Sequence, residues 1–282
     1  MSVLVFGKTG QVARALQDQA AVVALGRAQA DLCDPAACAR AIADHAPTAV
    51  INAAAFTAVD RAEADFETAM LVNAAAPAAM ARACAGLAIP FVHISTDYVF
   101  SGQGTHCWHP DDPTDPQNAY GRTKLAGEQG VRAAAGRFAI LRTSWVFSAQ
   151  GANFVDTMLR LSKTRHTLDV VSDQIGGPTP AADIAAVLLT MVRALQNGAA
   201  GGIYHYAGQP DTSWADFARE IFAQAGRAVQ VNDIPTAAYP TPAVRPQNSR
   251  LNCDTTIADF GVDPCDWRKG LAKVLATEKD TA

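Results

Sequence analysis

Short apolar runs bounded by turn residues punctuate the first half of the chain, separated by longer stretches whose apolar positions recur at helical spacing. Val3–Phe6 predicts a strand, Gln11–Gln19 a helix, Val22–Leu25 a second strand, Pro35–His45 a helix and residues 49–55 a third strand. The alanine-rich stretch 63–86 predicts a long helix, 91–95 a strand, 116–135 a helix and 138–146 a further strand. Strands alternating with helices give a parallel sheet covered on both faces with right-handed connections, a Rossmann-type doubly wound α/β fold. After Trp145 the rhythm changes. Residues 153–163 and 183–195 read as helices and 203–206 as a strand, while 170–174 runs into the turn-rich Gly176-Gly177-Pro178-Thr179-Pro180. From Trp214 onward two more helical stretches are expected around 235–246, a segment with four prolines. The expected organisation is a main domain over 1–147, to which 168–207 return, and a smaller α/β lobe made of 148–167 and 208–282.

At 282 residues, 49% hydrophobic and 18% charged, the chain can bury a full core and lacks the composition of a disordered one. A net charge of −4 carries no electrostatic footprint for nucleic acid, although a local arginine cluster can still hold an anion. Residues 2–6 form a buried strand rather than the basic and apolar regions of a signal peptide. Charge or glycine breaks the apolar stretches well before the ~20 residues of a membrane span. A cytoplasmic protein without nucleic-acid or membrane partners is expected. Six cysteines with no Cys-x-x-Cys pair suit reduced, packed thiols. His106-Cys107-Trp108-His109, set beside Pro110, Asp111, Asp112 and Pro113 without a second ligand pair, reads as a solvated loop, and no metal site is expected.

Tyr120 and Lys124 stand one helical turn apart, on one face of the helix expected there. A phenol with a pKa of about 10 exchanges protons poorly near neutrality unless a nearby cation stabilises its phenolate. Lys124 would supply that cation. Such a pair suits proton transfer at a carbonyl or hydroxyl, coupled to hydride exchange with a nicotinamide.

Gly7-x-x-Gly10-x-x-Ala13 follows the first strand and opens the first helix, where backbone amides and the helix N-terminus hold a pyrophosphate. Taken alone, the loop is equally a tight strand-to-helix turn. The second strand ends at Leu25-Gly26-Arg27, where NAD-specific folds place an acid for the ribose hydroxyls. An arginine at that point favours a 2′-phosphate, hence NADPH over NADH, unless Arg27 is only a solvated surface charge. Asp31 and Leu32 would then border the adenine.

Taken together, Gly7-Lys-Thr-Gly-Gln-Val12, Asn52-Ala-Ala-Ala55, Ser95-Thr-Asp-Tyr-Val-Phe100 and Tyr120-Gly-Arg-Thr-Lys-Leu-Ala-Gly-Glu128 resemble the extended short-chain dehydrogenase/reductase superfamily. Arg142-Thr-Ser-Trp-Val146, Asp173-Gln174 with Gly177-Pro178-Thr179, and Arg245-Pro-Gln-Asn-Ser-Arg-Leu251 narrow the likeness to the dTDP-4-dehydrorhamnose reductase family, over almost the whole chain. The resemblance implies NADPH-dependent (or NADH-dependent) reduction of the C4 ketone of a dTDP-4-dehydro-6-deoxy sugar, giving dTDP-L-rhamnose, the sugar donor for cell-surface polysaccharides.

Carried over by motif, Thr96 would hold the substrate carbonyl, Tyr120 would donate the proton, and Lys124 would lower the tyrosine pKa and bond the nicotinamide ribose. Gly7, Thr9, Gly10, Gln11, Val12, Arg27, Asp31, Leu32, Ala55, Phe56 and Thr57 would lie along the cofactor with Tyr120 and Lys124. Thr96, Asp97, Trp145, Arg245 and Arg250 would meet the sugar nucleotide. Plain alternatives stand beside some of these: a hydroxyl bonding local backbone for Thr96, core packing for Trp145, surface charge for the arginines. Some family members are described as dimers joined through magnesium held by glutamates, one of them in the first helix. Here that stretch reads Val12-Ala13-Arg14-Ala15, so a monomer or weak homodimer is expected. Two other readings of the likeness are a non-catalytic regulatory subunit of the methionine adenosyltransferase type and a nucleotide-sugar epimerase or dehydratase. Dehydration calls for paired acids beside the threonine, and Thr96-Asp97-Tyr98 offers one.

Overall fold

The computed structural model describes residues 2–279; residue 1 and residues 280–282, which end the two outermost expected spans, lie outside the described residues. Along the chain, β1 (Val3–Phe6), α1 (Gln11–Gln19), β2 (Val22–Leu25), α2 (Pro35–His45) and β3 (Ala49–Asn52) lead to α3 (Val59–Ala64), α4 (Phe66–Met70), a π-helical turn (Leu71–Ala75), α5 (Ala76–Gly86) and β4 (Phe91–Thr96). A 3-10 turn (Asp97–Val99), α6 (Ala119–Ala133), β5 (Phe138–Thr143), β6 (Val146–Phe147), α7 (Phe154–Ser162), β7 (Thr167–Val171), β8 (Ile175–Gly176), β9 (Thr179–Pro180), α8 (Ala181–Gln196) and β10 (Gly202–His205) follow. Then come β11 (Thr212–Ser213), α9 (Trp214–Ala225), β12 (Gln230–Ile234), β13 (Asn248–Ser249), α10 (Asp254–Phe260) and α11 (Trp267–Lys279).

Six parallel strands in the order β10-β5-β4-β3-β1-β2 make the main sheet of this doubly wound α/β fold. The order reverses at β1, so the carboxyl ends of β1 and β3 open a crevice of the kind in which α/β folds bind ligands. The pleat divides the apolar residues between two layers. Val5, Ile51, Val92, Ala139 and Leu141 face α1 and α8, whereas Leu4, Phe6, Val50, Phe91 and Ile140 face α2, α5 and α6.

Several elements end earlier than their apolar pattern suggests. The third strand stops at Asn52, whose Oδ1 accepts the Ala54 N–H at 3.1 Å and turns the chain outward. The helix expected over 63–86 is broken: Asp65 leaves helical geometry (φ −128°, ψ 53°), and a π-turn precedes α5. Pro77 has no N–H for the carbonyl of Asn73. The π-turn carries Asn73 inward, where it accepts from Phe56 N and donates to Phe56 O and Thr123 Oγ1. Gly127 of α6 packs on that carbonyl so closely that a Cβ would fall 2.1 Å from Asn73 O. The strand expected over 138–146 divides into β5 and β6 around Trp145, which has φ +47°.

The 168–207 segment is shared between the two parts of the molecule. β7 pairs with β12 and β8 lies between β11 and β13, whereas α8 and β10 join the main sheet. The lobe has its own core, with Phe147, Val155, Leu168, Phe217, Ile221, Trp267 and Leu271 at its centre. Near the four-proline segment, α9 comes before and α10 and α11 after, while 235–246 itself holds only a 3-10 turn, Thr236–Ala238. Among the described residues no helix is long and apolar enough to cross a membrane, and no group of three or more His, Cys, Asp or Glu is placed to hold a metal.

Candidate active site

The glycine loop lies at the carboxyl end of β1. Gly7 has φ +109°, a conformation strained for any side chain, and a Cβ there would sit tightly, 3.3 Å from the Ala53 backbone. Gly10 is the N-cap of α1, and no side chain caps the helix, which leaves its first amides available to an anion. Its neighbours are engaged elsewhere, Thr9 through its backbone carbonyl and Gln11 and Val12 through their side chains. Thr9 O accepts from Arg14 Nε at 2.9 Å, Gln11 Oε1 accepts from Ser148 Oγ and Asn153 Nδ2, and Val12 packs in the core. At Gly10, Gln11 and Val12 the loop thus offers backbone rather than side chains.

Arg27 is largely exposed just past β2, and the carboxylate beside it is Asp31, 3.0 Å away and four residues on. The Cys33 N–H, and then Arg27, hold the Asp31 carboxyl below its usual range. Leu32 is buried in the core beneath this corner. After β3, Ala55 is half-buried and Thr57 exposed; Phe56 is buried, its backbone held by Asn73 and its ring under the Arg61 guanidinium at 4.6 Å.

Asn118 starts α6: its Oδ1 accepts the Gly121 N–H at 2.8 Å while its Nδ2 donates to Val244 O. Gly121 lets the helix close onto Tyr98, whose carbonyl oxygen lies 2.2 Å from where a Cβ would be. Tyr120 is half-buried, edge-on to Tyr98 with ring centres 5.4 Å apart. Burial and the nearby Asp97 charge push its phenol well above the ordinary value, and the nearby Thr96 hydroxyl counteracts this in part.

Lys124 is 1% exposed, and its Nζ donates to Ile94 O at 2.7 Å and lies 3.1 Å from His93 Nε2. Burial pushes it down to about 8 against the raising influence of Glu128. The turn-spaced pair is therefore present, but here the amine faces His93 and a strand carbonyl, and the phenol is raised rather than lowered. The phenol's downward pull comes from Thr96.

Thr96, the last residue of β4, accepts the Tyr98 N–H and donates to Asp97 Oδ1 at 3.0 Å. Asp97 also accepts from Ser249 Oγ of β13, so a buried carboxyl joins the main sheet to the lobe. Burial pushes it up to about 6 despite those hydrogen bonds. Trp145 is half-buried and stacks on Trp214 with ring centres 3.6 Å apart. Arg245 pairs with Asp60 at 2.7 Å, and Arg250 reaches Asn248 Oδ1 at 3.0 Å and Asp211 at 3.5 Å. Both guanidiniums thus have protein carboxylates as present partners.

The residues missed as site members are His93, Asn52 and Ser249. His93 was visible as a lone polar residue inside an apolar strand. Asn52 and Ser249 stood within quoted motifs, with nothing in the chain to say what they face.

Over residues 1–279 the chain matches the family model described as RmlD substrate binding domain. It is 42% identical over 286 residues to the dTDP-4-dehydrorhamnose reductase of Sinorhizobium fredii, across 98% of this chain and 97% of that one. With the Escherichia coli K12 protein of the same name it shares 40% over 290 residues, at 98% and 97% coverage. The solved structure of the Bacillus anthracis dTDP-4-dehydrorhamnose reductase in complex with NADP superposes with a TM-score of 0.92 at 31% identity, covering 98% of this chain and 100% of that one.

Proposed function

The chain belongs to the RmlD substrate binding domain family, and from that premise we propose that it is an NADPH-dependent reductase of the C4 ketone of dTDP-4-dehydro-L-rhamnose, forming dTDP-L-rhamnose. NADH is the alternative donor. The observation that carries this reading is the approach of the Tyr120 phenol to Thr96, whose hydroxyl offsets its raised pKa, at the carboxyl end of β4, next to the crevice where α/β folds bind ligands.

The residues present fit the cofactor. The chain turns into α1 through Gly7 at φ +109°, the first amides of α1 are uncapped, and Arg27 stands at the end of β2 with a charge for a 2′-phosphate. Gly7, Gly10 and the backbone of Thr9, Gln11 and Val12 would hold the pyrophosphate; Arg27, Asp31 and Leu32 the adenosine end; Ala55, Phe56 and Thr57 the flank; Tyr120 and Lys124 the nicotinamide ribose. Bound NADPH supplies the hydride for C4.

Thr96 orients the ketone, and Tyr120 gives its proton to the oxygen as negative charge develops there. The raised phenol pKa keeps that proton in place until the oxygen becomes basic. Asp97 and Trp145 position the sugar, and Arg245 and Arg250 take the diphosphate by exchanging Asp60 and Asp211 for it, a match of guanidinium and phosphate geometry. The main domain, 1–147, is the NADP-binding part, and the lobe binds the sugar nucleotide. Arg14 is the exposed side chain at the start of α1, so the assembly we propose is a monomer or weak homodimer, in the cytoplasm.

The test is to mix the purified protein with enzymatically generated keto sugar and NADPH, follow absorbance, and identify the product by NMR. Substrate-dependent oxidation with dTDP-L-rhamnose as product is expected. Cofactor binding without turnover would refute the reading and favour a regulatory subunit.

A further inference from the structure

His93 sits fully buried in the middle of β4 with both ring nitrogens engaged. Its Nδ1 lies 3.1 Å from Asn52 Nδ2, and its Nε2 lies 3.1 Å from Lys124 Nζ. The Asn52 amide is oriented by the Ala54 N–H, which donates to Oδ1 at 3.1 Å. Its nitrogen end, which only donates, therefore faces Nδ1. Nδ1 must accept and carries no proton.

Burial, with Lys124 alongside, keeps the imidazole neutral. The single ring proton is then on Nε2, aimed at Lys124. An ammonium has three donors and no lone pair, so it cannot accept that proton. A neutral amine can: it accepts from Nε2–H and gives one of its own hydrogens to Ile94 O at 2.7 Å.

We propose that His93, locked as the Nε2–H tautomer by Asn52, is a positioning residue that holds Lys124 as a neutral amine in the cofactor-free protein, and that charging Lys124 requires the Asn52 amide to turn over. One proton is taken up in that change. The Nε2 hydrogen passes to Nζ, and the incoming proton ends on Nδ1, where the turned Asn52 Oδ1 accepts it. Turning Asn52 breaks its bond to Ala54, in the 53–57 loop that borders the crevice, so the charge on Lys124 is tied to the position of that loop.

The other ionisable groups around Lys124 are accounted for. Tyr120 and Glu128 lie on its own helix, and Glu128 is held by Arg142 of β5. Asp97 follows β4 and is bonded by Thr96 and Ser249. Glu63 of α3 accepts the Ala119 N–H and pairs with Arg122 at the outer start of α6. The π-turn presents Asn73, which is uncharged.

The functional consequence rests on the reading of Lys124 as part of the catalytic set; the tautomer does not. The first experiment is nitrogen NMR of the full-length, cofactor-free protein labelled at its six histidines, with His93 assigned by its absence in His93→Gln. A neutral ring protonated at Nε2 is expected near neutral pH. A ring protonated at Nδ1, or at both nitrogens, overturns the proposal.

The second experiment uses Asn52→Asp, whose carboxylate accepts from Nδ1–H. The ring proton should move to Nδ1, and the alkaline limb of turnover should move up by about one pH unit or more as Lys124 keeps its charge. A limb shifted in the same direction in His93→Gln, whose amide oxygen accepts from an ammonium, is an independent check should the aspartate variant fail to fold. A reversed tautomer with an unmoved limb upholds the proposal and removes Lys124 from the catalytic set. An unreversed tautomer in a folded Asn52→Asp protein overturns the proposal.

Discussion

Replacing Glu128 by glutamine tests whether the helix carrying Tyr120 and Lys124 is anchored to the sheet by a buried charge pair. Arg142 Nε and Nη2 donate to the two Glu128 oxygens at 2.9 and 2.7 Å, and both side chains are 2% exposed. At an effective dielectric of about 20, charges ~3 Å apart attract by roughly 5–6 kcal/mol. Desolvating both ions takes back most of that, so the intact pair contributes little net stability. Removing one member strands the other, at a cost of about 3–5 kcal/mol.

Glutamine keeps one acceptor, and Arg142 retains Pro110 O at 3.0 Å and the Phe100 ring at 4.9 Å, so the expected loss is near 3 kcal/mol, the low end of that range. In thermal unfolding this is a fall of about 6–12 °C. Urea titration by far-ultraviolet circular dichroism under reducing conditions measures it directly. A loss under about 1 kcal/mol, the scale of an exposed pair, would refute the reasoning. Glu128→Leu combined with Arg142→Met should recover most of the loss, because no charge is then left unpaired. Glu128 also raises Lys124 against burial. Without it Lys124 falls further below about 8, and the alkaline limb of turnover should move to lower pH.

Tyr120→Phe should lower kcat by about 10²–10⁴ with KM little changed, since the lost interaction belongs to the transition state; steady-state kinetics showing a rise in KM alone would contradict the assigned role. Asp97 has a folded-state pKa raised from 3.8 to about 6, so its contribution is fully present below the unfolded value and is lost as pH rises through 6, a swing of roughly 3 kcal/mol. Urea titrations between pH 4 and 7.5 should show that decline in the wild type and a flatter profile in Asp97→Asn; parallel profiles would be inconsistent with the burial argument. Arg27→Ala should weaken NADPH binding by about 10–100-fold with little effect on NADH, because a charge-assisted hydrogen bond to phosphate is lost. Fluorescence titration with both cofactors reads this, and equal losses for the two would count against a 2′-phosphate contact.

Much of the main sheet was legible because each strand is a short apolar run closed by a polar or glycine residue. The runs ending at Phe6, Leu25 and Thr96 lie within a residue of their predicted ends. Two of the misjudged elements have a local cause: a side chain captured a backbone N–H, or an N–H was missing, where the local pattern had assigned a strand or helix bond. Asn52 did this through Ala54, and Pro77 through the carbonyl of Asn73. The lobe was less readable, since β7 depends on β12 sixty residues away and β8 is two residues long. Strands that short have no periodicity to detect.

From the chain alone came the order of elements, the glycine turn, the one-turn spacing of Tyr120 and Lys124 and the kinship of its motifs, because these depend on residue type and local spacing. What the amine and the phenol face was decided only in three dimensions. His93 and Ile94 capture Lys124, Thr96 and Asp97 set the phenol, and Ser249 reaches Asp97 from 152 residues away. Hydrogen-bond partners and burial depend on neighbours brought together by the fold, and such long-range contacts leave no period in the sequence.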